Sequence, residues 1–197
     1  MAGIGVRRPF YAKYDYNPAG GQVMYRDGGV FGKAVSFTAN INMSGDNILY
    51  ADDAPAEVDT FFSGGTLDMT VDDLSDTVKQ EVFGAKVQPV TGGSGGTELI
   101  FDESQVIPDI GFGVIITKSI RGVIAYRAVI FPKVKMNQIS TEAATKGEQI
   151  TWQTQALTGM ILRDDTETHM WKREATFTRE GDAIQYIVST LNIPMVI

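Results

Sequence analysis

The stretch Thr66-Leu67-Asp68-Met69-Thr70-Val71-Asp72 alternates between polar and apolar residues without a break. Successive side chains of a β-strand point to opposite faces, so the apolar residues of this stretch share one face and the polar residues share the other. One buried face and one solvated face are typical of strands in antiparallel sheets. The stretch therefore predicts a β-strand at the surface of an antiparallel sheet.

The same period-two pattern recurs in residues 33–42 and again in residues 148–156. In the first of these, Val35, Phe37, Ala39 and Ile41 are expected on one face, opposite Ser36, Thr38, Asn40 and Asn42. Residues 111–118 and 122–131 are apolar on both sides, which predicts central strands, and residues 170–179 are a further strand candidate.

Two segments instead have helical spacing. Ser75 is placed to cap a short helix over residues 76–83, and Gly84 is placed to end it. The sequence Asp182-x-x-Gln185 resembles a capping box that opens a second helix. The apolar stripe predicted for this second helix consists of Ile184, Ile187, Val188 and Leu191.

These patterns predict a mainly β protein: an antiparallel β-sandwich or barrel flanked by one or two short α-helices. The length of 197 residues suits a single domain over residues 1–197. Residues 1–9 lack a period and are expected to form an N-terminal arm. Residues 43–57 are polar and rich in Asp, and are expected to form a long mobile loop.

Composition excludes several classes of function. The chain has no Cys and one His, which removes disulfides, thiolate chemistry and clusters of imidazole ligands. It has 17 basic and 24 acidic residues, for a formal net charge of −7. Nucleic-acid binders need clustered Lys and Arg, so tight DNA binding is disfavoured, as is binding to an anionic membrane. No secretory signal or membrane-spanning run is visible, so we expect synthesis in the cytoplasm.

A search for catalytic motifs finds one formal match, Gly92-Gly93-Ser94-Gly95-Gly96, which fits G-x-S-x-G. No helix follows it, as the serine hydrolase turn requires, and His169 would be the only base available. None of the Asp pairs has the spacing of a calcium loop. We therefore expect no catalytic residue, cofactor or metal. Trp152 and Trp171 are expected in the core, and a carbohydrate-binding platform is the alternative.

The polar strand faces are unusual in their chemistry. Residues 36–42 and 149–155 offer hydroxyl and amide groups where an ordinary solvated face would carry Lys and Glu, and residues 66–72 add only negative charge. A plain exposed face is one interpretation. The other is a surface that must neither adhere to a polyanion nor aggregate.

Most of the chain, in order, resembles the major tail proteins, the tail-tube subunits, of long-tailed bacteriophages with non-contractile tails. The segments that carry the resemblance are residues 49–59 (LYADDAPAEVD), 65–75 (GTLDMTVDDLS), 126–129 (YRAV), and 145–148 (TKGE) running into 150–154. Gly5-Val6, followed by a short strand over residues 10–16, is similar as well.

The resemblance implies a structural virion protein that assembles with itself into hexameric rings. The rings stack into a tail tube through which DNA passes without specific binding. Implied partners are further copies of the chain and the tape-measure, tail-terminator and baseplate or distal tail proteins, with assembly in the host cytoplasm. A tube subunit of a contractile tail or secretion apparatus is the nearest alternative.

On this resemblance two sets of residues are assigned. The lumen-lining set is Ser36, Thr38, Asn40, Asp59, Asp68 and Asp72. The set for contact between rings or subunits is Val6, Arg7, Arg8, Ile48, Leu49, Tyr50, Asp52 and Asp53. The first set offers phosphates no cation to bind, and the second combines an apolar docking segment with charges of both signs.

Overall fold

The structure is a computed structural model that describes residues 2–44, 47–51, 54–90, 95–120, 122–139 and 154–194, with the backbone alone at 2, 47–51, 54–59 and 120. Its elements are β1 (Ala2–Asn17), β2 (Gln22–Val30), β3 (Ala34–Met43), β4 (Asn47–Ala51), β5 (Ala54–Asp59), β6 (Phe62–Val71), α1 (Asp76–Phe83), β7 (Lys86–Pro89), β8 (Thr97–Ile100), β9 (Asp109–Ile120), β10 (Val123–Met136), β11 (Gln155–Leu162), β12 (Arg173–Phe177) and α2 (Glu180–Thr190).

Most of the strands form one antiparallel sheet in the order β2-β1-β9-β10-β11-β6-β3, with β12 paired to β10 beside this path. Two hairpins, β4–β5 and β7–β8, form separate two-stranded ribbons. The prediction of a mainly β, antiparallel sandwich with short flanking helices is confirmed. The central positions predicted for residues 111–118 and 122–131 are confirmed as well, because β9 and β10 lie in the middle of the sheet.

The sheet folds back on itself at β10. Residues 126–130 of β10 pair with β12, whereas residues 133–136 pair with β11, and the register with β9 shifts between Phe131 and Val134. Pro132, which has no N–H to donate, lies at this shift. The bend places β11, β6 and β3 across from β1 and β9, and a hydrophobic core fills the space between the two halves.

This first core takes residues from both halves of the sheet and from α1. It includes Tyr11, Phe112, Val114, Val129, Leu67, Met69, Val71, Leu157, Ile161, Val78, Val82 and Phe83. A second core lies on the other face of β9 and β10, where α2 covers Ile115, Ala128 and Ile130. Gly113 makes the close approach of α2 possible, because a Cβ there would lie 2.5 Å from Ile187 Cγ2.

The first helix begins and ends as predicted. The Ser75 side chain accepts a hydrogen bond from the Val78 N–H, and Gly84 ends the helix with a φ of 72°. The capping box predicted for the second helix is wrong, because α2 begins at Glu180 and Asp182 lies inside its first turn. Its apolar stripe is correct, because burial against the second core determines which face of α2 points inward.

The alternation in residues 33–42 and 66–72 is confirmed as β3 and β6. One residue departs from it: Val35 is 57% exposed, although it was expected beside Phe37. The pairing of β3 with β6 shifts register between Ala34 and Ser36, so a local bulge turns Val35 outward. The strand predicted over residues 148–156 lies mostly outside the described residues, and β11 begins at Gln155.

Residues 2–9, within the predicted N-terminal arm over residues 1–9, belong to a strand. These residues form the first half of β1 and pair with β9, with Val6 opposite Ile116 and Arg7 opposite Ile115. Two register shifts in this half of β1 disrupt the period-two pattern, so residues 2–9 do not alternate as a regular strand does. In the predicted loop over residues 43–57, the described backbone forms the β4–β5 hairpin.

Candidate functional surface

Three strands present a continuous polar surface on the side of the sheet that faces away from the first core. The antiparallel registers align Thr38 of β3, Asp68 of β6 and Thr158 of β11 in one row across the strands. Asn137, just after β10, extends this row, because its Nδ2 donates to Thr158 Oγ1 over 2.9 Å. All four side chains are exposed.

Parallel rows lie on either side of this one. We use the name polar face for Ser36, Thr38 and Asn40 of β3, Thr66, Asp68 and Thr70 of β6, and Ala156, Thr158 and Met160 of β11. Eight of these side chains are exposed and Thr70 is half-buried. Asp68 is the one charged residue of the nine, so the polar face consists mainly of hydroxyl and amide groups with a single carboxylate.

The orientation of the polar face is determined by the side chains on the opposite face. Leu67, Met69 and Leu157 alternate with the polar residues and are buried in the first core. A slip of one residue in register would exchange the two faces and expose these apolar side chains to water. The polar face is therefore held in place by the packing behind it.

Asp68 has no cationic neighbour within ion-pair distance in the described part of the chain. Lys135 of β10 lies opposite Met160 of the polar face in the strand pairing. The Lys135 Nζ lies 3.6 Å from Asp109 Oδ1 and so forms an ion pair with that carboxylate. Lys133 Nζ also forms ion pairs with two carboxylates, at 2.7 Å from Asp165 Oδ2 and 3.6 Å from Asp109 Oδ2. Lys133 and Lys135 are thus paired with carboxylates outside the polar face.

Of the six lumen-lining predictions, the structure brings Ser36, Thr38, Asn40 and Asp68 together on the polar face. It places Asp72 after β6, where the carboxylate accepts the Lys33 N–H over 2.8 Å and the Asp73 N–H over 2.9 Å. These bonds, the one from Lys33 above all, hold the pKa of Asp72 below its usual range. Asp59 ends β5, and its side chain lies outside what the structure describes.

The residues predicted to contact other subunits are spread over two regions. Val6 packs half-buried against the first core. Arg7 Nη1 lies 3.2 Å from Glu180 Oε2 and Arg8 Nε lies 3.9 Å from Glu180 Oε1, so both arginines pair within the subunit. The backbone of Ile48, Leu49 and Tyr50 belongs to β4, their side chains lie outside the described residues, and so do Asp52 and Asp53.

Three strands of the sheet have an open edge in the described part of the chain. There, β3 pairs with β6 alone, β2 pairs with β1 alone and β12 pairs with β10 alone. The outward backbone N–H and C=O groups of β3 therefore lie directly beside the polar face. Such an edge is a template for pairing with another strand.

Four residues would serve the two alternative functions: Ser94 and His169 in a serine hydrolase, and Trp152 and Trp171 in a carbohydrate-binding platform. His169 is exposed in a turn, with Nδ1 3.4 Å from the Asp164 carbonyl oxygen, and Ser94 lies outside the described residues. Asp164 Oδ1 accepts the Met170 N–H over 2.9 Å and holds the same turn. Trp171 is half-buried and stacks on Phe62 at 4.8 Å between ring centroids, so one ring face is covered; Trp152 is undescribed.

Sequence reasoning missed the β11 residues and Asn137. In β11, Ala156 and Gly159 weaken the polar and apolar contrast, and Met160 is apolar although it is exposed. The remaining evidence for a strand is a short period-two pattern, in which Leu157 and Ile161 are apolar and Thr158 is polar. This pattern is too short to predict a strand on its own.

Neither helix in the described ranges is long and apolar enough to cross a membrane. Across those same ranges, no three His, Asp or Glu side chains converge as a metal site would require. No protein-family model matches the chain, and no curated protein sequence matches it.

Proposed function

We propose that this chain is a structural subunit that polymerises as stacked rings into a phage tail tube, the conduit for genome delivery. The observation that carries the proposal is the polar face: exposed hydroxyl and amide groups with one carboxylate, backed by a packed core and bordered by the open edge of β3. In this proposal the polar face lines the lumen.

The chemistry of the polar face suits a wall along which DNA must slide. Proteins gain affinity for DNA when Lys and Arg displace the counterions condensed on the phosphates. The nine residues of the polar face include no cation, and Lys133 and Lys135 form ion pairs with Asp109 and Asp165. Asp68 adds a weak repulsion, which keeps the duplex away from the wall.

The open edge of β3 supports assembly with further copies. Pairing of this edge with a strand of a neighbouring copy would satisfy its outward backbone groups and extend the polar face from one subunit to the next. A contact between two unlike edges is heterologous, and it closes into a ring if the rotation between copies permits.

For contact between rings, the proposal keeps Val6, Arg7 and Arg8 of β1, Ile48, Leu49 and Tyr50 of β4, and the sequence-predicted Asp52 and Asp53. Because Glu180 holds both arginines in the subunit, contact with the carboxylates of another copy would exchange one set of ion pairs for another. The tape-measure, tail-terminator and baseplate proteins are the proposed partners along and at the ends of the tube.

Electron microscopy of the purified protein at high concentration tests the proposal. Rings or tubes with a central lumen are the expected result, and the fraction assembled should rise with concentration in sedimentation velocity. A protein that remains monomeric at every concentration and salt would contradict the proposal.

A further inference from the structure

Two exposed apolar patches lie at opposite ends of the β9–β10 pair. We define the tip patch as Ile4, Val123 and Ile124, next to the turn that joins β9 to β10. We define the ribbon patch as Val87, Val90, Phe101 and Val106, beside the start of β9. The 12 residues of β9 separate the two ends by roughly 36 Å at ~3.3 Å per residue.

The tip patch is apolar on both faces of the hairpin. Val123 pairs with Ile120 and Ile124 pairs with Ser119, so their side chains point to opposite faces, and they are 65% and 52% exposed. Ile4 lies in β1 at the register shift between Gly3 and Gly5, and is 61% exposed. Exposed apolar side chains therefore lie on both faces of the described end of the hairpin.

The β7–β8 ribbon is fixed to the rest of the subunit at one end, where β7 begins, and has no covering element at the other end in the described part of the chain. Lys86 Nζ lies 2.7 Å from Asp102 Oδ2, Gln105 Nε2 donates to the Phe83 carbonyl, and the Val106 carbonyl packs closely on Gly84. Beyond this fixed end, β7 and β8 pair with each other alone among the described residues. A two-stranded ribbon by itself is only marginally stable, so a covering surface would stabilise this one.

The charges around the two patches are complementary. Among the described residues of the tip, 2–5, 116–120 and 122–126, Lys118 is the one charged residue. The described residues of the ribbon and its following loop, 86–90 and 95–108, carry Lys86 against the three carboxylates of Glu98, Asp102 and Glu103. The tip is thus basic and the ribbon is acidic, as two surfaces in contact would be.

We propose that the tip patch of one copy docks on the ribbon patch of the next copy, so that subunits join head to tail along the β9–β10 direction. The inference rests on the proposed tube function, and it adds a second pair of surfaces between one ring and the next to the contact assigned to Val6, Arg7, Arg8 and β4. Because the two patches are unlike, the contact is heterologous and repeats without closing when the copies are related by translation along this direction.

The absence of Cys from the chain allows a direct test by cross-linking. One protein carries Ile124→Cys and a second carries Val87→Cys, both at exposed positions where the fold tolerates substitution. The two are mixed at an assembling concentration and treated with a short thiol-to-thiol cross-linker. We expect the 124–87 heterodimer to exceed both homodimers about tenfold, which corresponds to a preference of about 1.4 kcal/mol.

The matched control places the first thiol on the polar face, as Thr158→Cys, and should give no preferred product with Val87→Cys. A second test reverses the charges: Lys118→Glu should weaken stacking, and a partner with Glu98→Lys and Glu103→Lys should restore it. Restoration supports the contact, and failure to restore overturns it.

The outcomes separate this inference from the function on which it rests. Rings seen by electron microscopy without the 124–87 product would overturn the docking surfaces and leave the tube proposal standing. Monomers alone, with no cross-linked product, would overturn both.

Discussion

Strands β6 and β9 lie in the same sheet but are buried differently. β6 buries Leu67, Met69 and Val71 in the first core and presents Thr66, Asp68 and Thr70 outward. β9 buries one face in the first core and the other beneath α2. One face of β6 is therefore free to carry function, whereas every residue in the middle of β9 is committed to packing.

The largest effect is expected at Phe112 of β9. Its ring is fully buried and lies 5.7 Å from Phe37 and 5.9 Å from Phe31, so it joins the two halves of the sheet across the first core. Phe112→Ala should lower the free energy of unfolding by about 3–5 kcal/mol, measured by urea denaturation. A loss below ~1 kcal/mol would mean that the two halves do not depend on this contact.

A smaller loss is expected on the other face of β9, at Gly113. A Cβ there would lie 2.5 Å from Ile187 Cγ2, so Gly113→Ala must shift the Ile187 side chain of α2, at a cost of about 1–3 kcal/mol. Gly5→Ala in β1 is the matched control, because a Cβ at Gly5 meets nothing within 4 Å. Equal melting temperatures for the two variants would contradict the close packing of α2 on β9.

The difference between β6 and β9 also explains which parts of the fold the sequence predicts. One-sided burial leaves a period-two pattern, so residues 66–72 identify β6 and its outward residues directly. β2 gives no such signal, because Gly28 and Gly29 interrupt it and Asp27, with a φ of 49°, bends the strand.

The composition of the polar face was partly predictable, but its assembly was not. Ser36, Thr38, Asn40 and Asp68 were identified because their strands alternate. That Thr158 lies beside Asp68 depends on β11 pairing between β6 and β10, which is a long-range choice that no local pattern encodes. The ion pairs of Arg7 and Arg8 with Glu180 were unpredictable for the same reason, since β1 and α2 are distant in sequence.

The junction of β3 with β6 should lose stability in acid because Asp72 becomes protonated. Hydrogen bonds from the Lys33 and Asp73 N–H groups lower its pKa in the folded state, so the ionised carboxylate stabilises the junction of β6 with β3. This contribution is present above the usual Asp pKa of about 3.9 and is lost as pH falls through the lowered value. The amide of Lys33 should therefore exchange hydrogen faster in acid, as measured by NMR.

Asp72→Asn is the control for this titration, because the Asn side chain cannot ionise. In this variant the exchange rate of the Lys33 backbone amide should follow only the intrinsic dependence of exchange on pH. Amides in the middle of β9, such as that of Val114, should stay protected over the same pH range. An acid response at Val114 equal to that at Lys33 would show global unfolding in place of local release.

The smallest effect on stability is expected at Asp68, together with a large effect on function. Its side chain is exposed and has no ion-pair partner among the described residues, so Asp68→Lys should change the free energy of unfolding by no more than about 0.5 kcal/mol. In an assembled tube, however, each copy would then present a cation to the phosphates. The tube should gain a salt-dependent affinity for DNA, and genome delivery should slow.

Asp68→Asn separates the two effects of this substitution, because it removes the negative charge without adding a positive one. Under the proposed tail-tube function, phage carrying Asp68→Asn should deliver their genomes nearly as well as the parent, whereas those carrying Asp68→Lys should not. Equal infectivity of Asp68→Lys and the parent, with tubes intact by electron microscopy, would place the polar face outside the lumen. A large drop in melting temperature would instead mean that the outward face of β6 is committed to packing, as both faces of β9 are.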